Sequence, residues 1–405
     1  MLKIKSRNNL SKLWSRSYIL MLLSNLFIYL GFYMLVPTLP AYAKLSGGSA
    51  FEAGLVVSVF SISSLICRLF TGNLSDKMEV KPIIISGSVI LAVCTLSYIW
   101  LPLAAIILIR LIQGVGWGFA STGAASIFSD IVPESKRGEG MGYYSMSIII
   151  AMSLATVAAI VIMNLFSFKF IALISIALVM LGAVLLQGVK IPKKKKINHK
   201  NKSPFSLTDL FEKKALLPSL LCFLLTITLC GIMSYIMLYG KEMKMHNIWI
   251  YFVGHVFMVL ITRPFIGKIF DKRGHAVIVL PGVAALIIGL VILSYAHSTF
   301  TLVLASLFYG LGYGAVHPSL QVWAVNDSPQ NRKGAANGTF LSSMDLGFTV
   351  GPIILGTIAQ YNSYGIMYRV SSLFIVLFLA IYVFVLIKNK EIDQELDLDE
   401  QVSGF

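Results

Sequence analysis

Residues 68–77 read RLFTGNLSDK, and residues 263–272 read RPFIGKIFDK. Arg, Phe, Gly, Asp and Lys recur in the same order at a displacement of 195 positions. A second echo follows. Gln113-Gly114-Val-Gly116-Trp-Gly118 returns as Tyr309-Gly310-Leu-Gly312-Tyr-Gly314, displaced by 196, and Pro133, Gly138 and Gly142 return at that displacement as Pro329, Gly334 and Gly338. Agreement at one offset over so many positions marks an internal duplication, and paired halves around a shared centre are a transporter plan.

Outward from these stretches the chain is apolar. Of its 405 residues 57% are hydrophobic and only 13% charged, too little charge to cover a soluble domain of this length. Mean hydropathy is +0.81. The apolar residues fall in successive runs of roughly 18 to 25, the length that crosses ~30 Å of hydrocarbon as a helix. They lack the alternation of a membrane barrel. The expectation is an all-α membrane protein with transmembrane helices near 17–40, 51–72, 82–100, 103–128, 139–164, 168–188, 215–239, 248–270, 276–296, 299–324, 335–361 and 363–387. A basic lead (Lys3, Lys5, Arg7, Lys12, Arg16) precedes Tyr18–Val36, which is too long for a signal peptide and is read as a retained first helix.

The formal net charge of +15 does not require nucleic acid, because the cations alternate with the helices. Lys77 and Lys81, Lys136 and Arg137, Lys190 through Lys214, Lys268 to Arg273, and Arg332 with Lys333 fall on one side. The opposite connections hold little beyond Lys44, Lys169, Lys241, Lys244 and Arg369. Both termini are therefore expected in the cytoplasm of a cell (plasma) membrane protein. The basic stretch 190–214 divides an N-terminal six-helix bundle, 1–189, from a C-terminal one, 215–390, and 391–405 form an acidic tail expected to be disordered. Cys67, Cys94, Cys222 and Cys230 sit in apolar runs without metal-ligand spacing, and neither a metal nor another cofactor is expected.

Taken together the motifs resemble those of the major facilitator superfamily, nearest its drug/proton antiporter branch, along the whole chain. The family's loop after helix two, G-x-x-x-D-[RK]-x-G-[RK], appears degenerate as Gly72…Asp76-Lys77-Met-Glu79-Val-Lys81 and better preserved as Gly267…Asp271-Lys272-Arg273-Gly274. The fourth-helix signature R-x-x-Q-G is intact as Arg110-Leu-Ile-Gln113-Gly114. Helix five reads Ala151-Met-Ser-Leu-Ala155-Thr156 where that branch often carries glycine-proline, whereas helix eleven does have Gly351-Pro352. The resemblance implies two pseudo-symmetric bundles rocking about a cavity. It also implies gating ion pairs among Arg68, Gly72, Asp76, Lys77, Arg263, Gly267, Asp271 and Lys272 at the ends of helices two and eight.

Charges inside a membrane are costly, about 3 kcal/mol each on insertion scales, so each needs a reason. Arg110 lies well inside helix four and Asp345 well inside helix eleven. A carboxyl moved between dry and wet surroundings can load and release a proton, so Asp345, with Arg110 and His317, is assigned to proton coupling. Tyr309, Tyr313, His317 and Gln321 step by four along helix ten, as do Gln113, Trp117 and Ser121 along helix four and Asn25, Tyr29 and Tyr33 along helix one. Stripes mixing Tyr, His, Asn and Gln are costly to turn toward lipid, so all are expected to line the cavity. The glycine runs read as helix packing rather than nucleotide loops. No Walker lysine motif, H-E-x-x-H or G-x-S-x-G occurs.

These features point to a non-enzymatic, proton-coupled secondary exporter of a small amphipathic or zwitterionic molecule, either drug-like or a secreted metallophore, acting as a monomer in the bilayer. A proton-coupled nutrient importer of the same fold is the alternative. A membrane receptor or enzyme is a further one, disfavoured by the duplicated loops.

Overall fold

The computed structural model describes residues 13–77, 79–133, 136–191, 211–245, 247–329 and 332–403, the last of these by backbone alone beyond residue 388. They form twelve long helices: α1 Arg16–Leu45, α2 Ala50–Lys77, α3 Val80–Ser97, α4 Leu103–Ile131, α5 Arg137–Leu165, α6 Phe168–Gln187, α7 Leu216–Glu242, α8 Ile250–Arg273, α9 Ala276–Ser294, α10 Thr299–Asn326, α11 Lys333–Tyr361 and α12 Tyr364–Ser403. Eleven are apolar over a full membrane-spanning length, and α8 contributes a shorter apolar stretch, Ile250–Arg263. All helix bonds are internal to each segment, as hydrocarbon requires.

Three helices run five or more residues past their expected ends: α1 to Leu45 rather than 40, α2 to Lys77 rather than 72, and α12 through the acidic stretch to Ser403. Glu, Gln and Leu are good helix formers, and extending an existing helix needs no new nucleus. The disordered tail expected at 391–403 is therefore replaced by helical backbone. Most of the basic linker, 192–210, lies outside the described residues. Its C-terminal end is fastened: Arg332 donates to the Glu212 carboxylate and, at 2.9 Å, to the Phe211 carbonyl, while Glu212 N donates to Thr339 Oγ1 at 3.0 Å.

The halves repeat in packing as they do in sequence. Within the first, α1 packs on α5 and α6, α4 on α2 and α3, and α3 on α6. The second half repeats each pairing six helices on: α7 with α11 and α12, α10 with α8 and α9, α9 with α12. The glycine triplets explain part of this. A Cβ on Gly118 would lie 2.8 Å from the Cβ of Cys67 on α2, and one on Gly116 would lie 2.9 Å from the Gly87 oxygen on α3. Two residues along a helix turn it by about 200°, so alternate glycines serve opposite neighbours. Gly310 and Gly312 do the same against the carbonyls of His255 on α8 and Gly282 on α9, each 2.5 Å from an added Cβ.

Between bundles, α2 meets α11, α1 meets α7 and α5 meets α8. The seal lies where α2 begins and α11 ends. Across the bundles, the Tyr235 hydroxyl of α7 lies 3.4 Å from the Ala50 carbonyl, which it meets while donating to the Pro352 carbonyl of its own bundle at 2.7 Å, and Phe51 N donates to Gln360 Oε1 at 3.2 Å. Away from this seal the bundles part around a cavity.

Candidate functional site

The cavity has a volume of about 460 Å³ and takes its walls from both bundles. It runs from Val36, Val57 and Phe348 near the sealed end toward Met141, Gln321 and Asn337. Three guanidiniums line it, those of Arg68 on α2, Arg110 on α4 and Arg263 on α8, together with the carboxylate of Asp345 on α11.

Arg110 is braced by its own helix and two neighbours. It is 3% exposed. Its Nε donates to the Val56 carbonyl at 2.7 Å, its Nη1 donates to Gln113 Oε1 at 2.5 Å, and its guanidinium carbon sits 4.1 Å from the centre of the Phe60 ring. The spacing of three residues brings Arg110 and Gln113 to one helix face. Gln113 is held in turn, accepting from Tyr98 Oη at 2.6 Å and donating through Nε2 to Thr95 Oγ1 at 2.9 Å. A buried cation is tolerable when its donors find acceptors, and this lattice over α2, α3 and α4 supplies them to Nε and Nη1 and an aromatic face beside.

Asp345 faces a different arginine. Its Oδ2 lies 3.2 Å from Arg68 Nε, with both side chains partly open to the cavity. Arg68, expected at a gate, closes the apolar span Ala50–Arg68, but its helix continues more than two turns past it to Lys77, so it lies within α2 and reaches the cavity from there. Arg263, likewise expected at a gate, lines the cavity, and its Nε is buried with no hydrogen-bond partner among the described residues. For Gly72, Asp76, Lys77, Gly267, Asp271 and Lys272 only helical backbone is described; their side chains lie outside the described residues.

The aromatic stripes divide. Tyr29, Tyr33, Trp117, Ser121, Tyr313, His317 and Gln321 line the cavity. Asn25, Gln113 and Tyr309 do not. Asn25 donates to Ser147 Oγ at 3.0 Å and ties α1 to α5, Gln113 serves Arg110, and Tyr309 pairs its hydroxyl with Thr228 Oγ1 at 2.8 Å between α10 and α7. On α4 and α10 the residue that leaves the cavity is the one nearer the sealed face, whereas on α1 Asn25 is the one farther from it; in each case the polar group finds a protein partner. On α10, Tyr313 stacks on His317 with ring centres 5.2 Å apart, and His317 Nε2 lies 3.2 Å from the Met344 sulfur. His255 of α8, buried among Tyr251, Tyr309 and Tyr313, has neither ring nitrogen paired among the described residues. His255, Asn337 and Tyr144 are cavity residues that the stripes did not single out. The four cysteines are buried and unbridged.

This architecture matches known proteins. The Major Facilitator Superfamily model matches residues 21–352 and 250–402. An uncharacterized MFS-type transporter, MJ1560 of Methanocaldococcus jannaschii, is 26% identical over 359 residues, covering 85% of this chain and 92% of that protein. The quinolone resistance protein NorA of Staphylococcus aureus is 25% identical over 351 residues, 84% of this chain and 89% of that one. The crystal structure of the nucleoside transporter NupG superposes with a TM-score of 0.72 at 14% identity, over 91% of this chain and 99% of that chain, a likeness of fold. Duplicated bundles, a shared polar cavity and the family match agree: this chain belongs to the Major Facilitator Superfamily, a family of multi-pass membrane transporters rather than enzymes.

Proposed function

We propose that the protein is a secondary active exporter working by proton antiport and alternating access, with both termini in the cytoplasm of the cell membrane. The observation that carries this is the Arg68–Asp345 pair, which joins one bundle to the other inside the cavity. When Asp345 takes up a proton, the attraction to Arg68 is lost and the bundles are free to rock. When it releases the proton, the carboxylate can receive Arg68 or a cationic group on the substrate. Proton and substrate then compete for one oxygen pair, which is what exchange in opposite directions requires. Arg110, held rigidly on α4, contributes a fixed positive field, and His317 is the second proton-exchanging group.

The cation bias of the loops puts the sealed end outside, so the cavity opens to the cytoplasm, where an exported molecule is collected. The mixture of aromatic faces with charges of both signs suits an amphipathic or zwitterionic solute, drug-like or a secreted metallophore, handled by a single chain. The relative named for quinolone resistance favours outward transport.

The test is direct. Mass spectrometry of the medium from cells lacking the protein reports which secreted compound is missing. Purified protein in proteoliposomes should then move that compound against an opposing proton gradient, and Asp345→Asn should stop the exchange while the protein stays folded in the membrane. Accumulation along with the proton instead would assign the importer reading.

A further inference from the structure

We propose that Arg263 of α8 receives an anionic group, a carboxylate by preference, on the transported molecule, and that the solute is therefore an organic acid or zwitterion rather than a simple cation. The proposal deepens the transporter reading and rests on it.

The cavity holds three guanidiniums against one carboxylate among its described lining residues, leaving two positive charges unbalanced with the histidines neutral. An uncompensated cation in a low-dielectric wall is costly unless a counter-charge arrives. The three are not equivalent. Arg68 has Asp345, and Arg110 has hydrogen bonds to Val56 and Gln113 and the Phe60 face. Arg263 alone of the three has neither an ion-pair nor a hydrogen-bond partner among the described residues, and its Nε is buried at the cavity wall.

The neighbouring wall is also short of partners. Among the described residues, His317 Nδ1 and both nitrogens of His255 are buried and unpaired, and His317 Nε2 meets a thioether, a weak acceptor. Tyr313 stands between the two rings, 5.8 Å from His255 and 5.2 Å from His317. A carboxylate on Arg263 would gain a charge-assisted bond and leave the body of the molecule against these rings. A cationic group on the same solute would compete with Arg68 for Asp345 on α11, so a zwitterion is accepted only where the exchange proposed above frees that carboxylate.

The test uses the purified full chain in detergent, read by the fluorescence of Trp117, which lines the cavity; Trp117→Phe identifies its signal. The probes are 2-naphthoate, 2-naphthamide and 2-naphthylmethylammonium. Naphthoate should bind roughly tenfold or more tightly than the amide, the scale of a charge-assisted bond. Arg263→Gln should bring the two to parity with the amide affinity unchanged, and Arg263→Lys should keep most of the preference. Equal binding of acid and amide to the unaltered protein, which needs no variant, overturns the proposal. So does a preference that survives Arg263→Gln, or displacement of naphthoate by acetate and inorganic phosphate at equal concentration, which would reduce the site to a counter-ion pocket. Proteoliposomes separate the two readings. Selective naphthoate binding without proton-linked transport keeps the anion site and removes the exporter; proton-linked movement of the ammonium probe alone does the reverse.

Discussion

Arg68 Nε of α2 and Asp345 Oδ2 of α11 lie 3.2 Å apart, and their helices belong to different bundles. An interaction within a bundle would persist as the bundles rock, whereas this one is made or broken by the motion.

Removing either partner should therefore cost more than removing both. Asp345→Asn and Arg68→Gln are each expected to lower stability by about 2 kcal/mol, less than a fully buried pair because both side chains partly meet the cavity. The double variant should recover much of that loss while remaining inactive in proton exchange. Thermal unfolding of the four proteins forms the cycle, and additive losses would mean that the pair is not energetically coupled.

Gln113 is expected to matter for stability rather than for substrate contact. Gln113→Leu leaves Arg110 Nη1 and Tyr98 Oη without the acceptor they share now, at about 1–3 kcal/mol for each unmet buried group, while Thr95 Oγ1 keeps its bond to the Leu91 carbonyl. The variant should melt well below the parent. Arg110→Met in the same background should restore part of the loss.

Gly312→Ala places a methyl 2.5 Å from the Gly282 oxygen, within a helix crossing that has no room to yield. Overpacking of this kind costs about 1–3 kcal/mol. Gly142→Ala meets nothing within 4 Å and serves as the control, with no loss expected. Equal melting temperatures for the two variants would remove the close-packing account of the glycine triplets.

The Glu212–Arg332 latch gives an acid limit. The hydrogen bond from Arg332, followed by one from Lys214 N, holds the Glu212 carboxyl below its ordinary range. With the folded value below the unfolded one near 4.3, its contribution is complete above roughly pH 4.3 and disappears as pH falls through the folded value. Glu212→Gln should thus be less stable than the parent at pH 7 and indistinguishable from it once the pH is below the folded value. A difference that grows on acidification would reverse the assignment.

Much of the fold was legible because lipid leaves few choices. Apolar runs of spanning length must be helices, and the duplicated RLFTG and RPFIG stretches with their glycine triplets mark where each half repeats the other. Arg110 and Asp345 were legible as internal charges, since hydrocarbon admits none without a reason. The partner of Asp345 was not. Arg68 reads as an end-of-helix residue of a conserved-looking loop pattern, and only the further turns of α2 place it within the helix.

The stripes were legible by periodicity, but a four-residue step leaves open which end of a helix meets a cavity and which meets another helix. Asn25, Gln113 and Tyr309 found protein partners in the contacts between helices, while Tyr33, Trp117 and Tyr313 found open space. The sequence by itself determined the span lengths, the two halves and the existence of a polar interior, because these follow from local hydrophobicity and repetition. Only the tertiary structure decided that Arg68 answers Asp345, that Arg110 is held by Val56, Gln113 and Phe60, and that Arg263 is left unmatched among the described residues. Electrostatic pairing depends on distances between helices, here between residues 277 positions apart, and one-dimensional spacing carries no such distance.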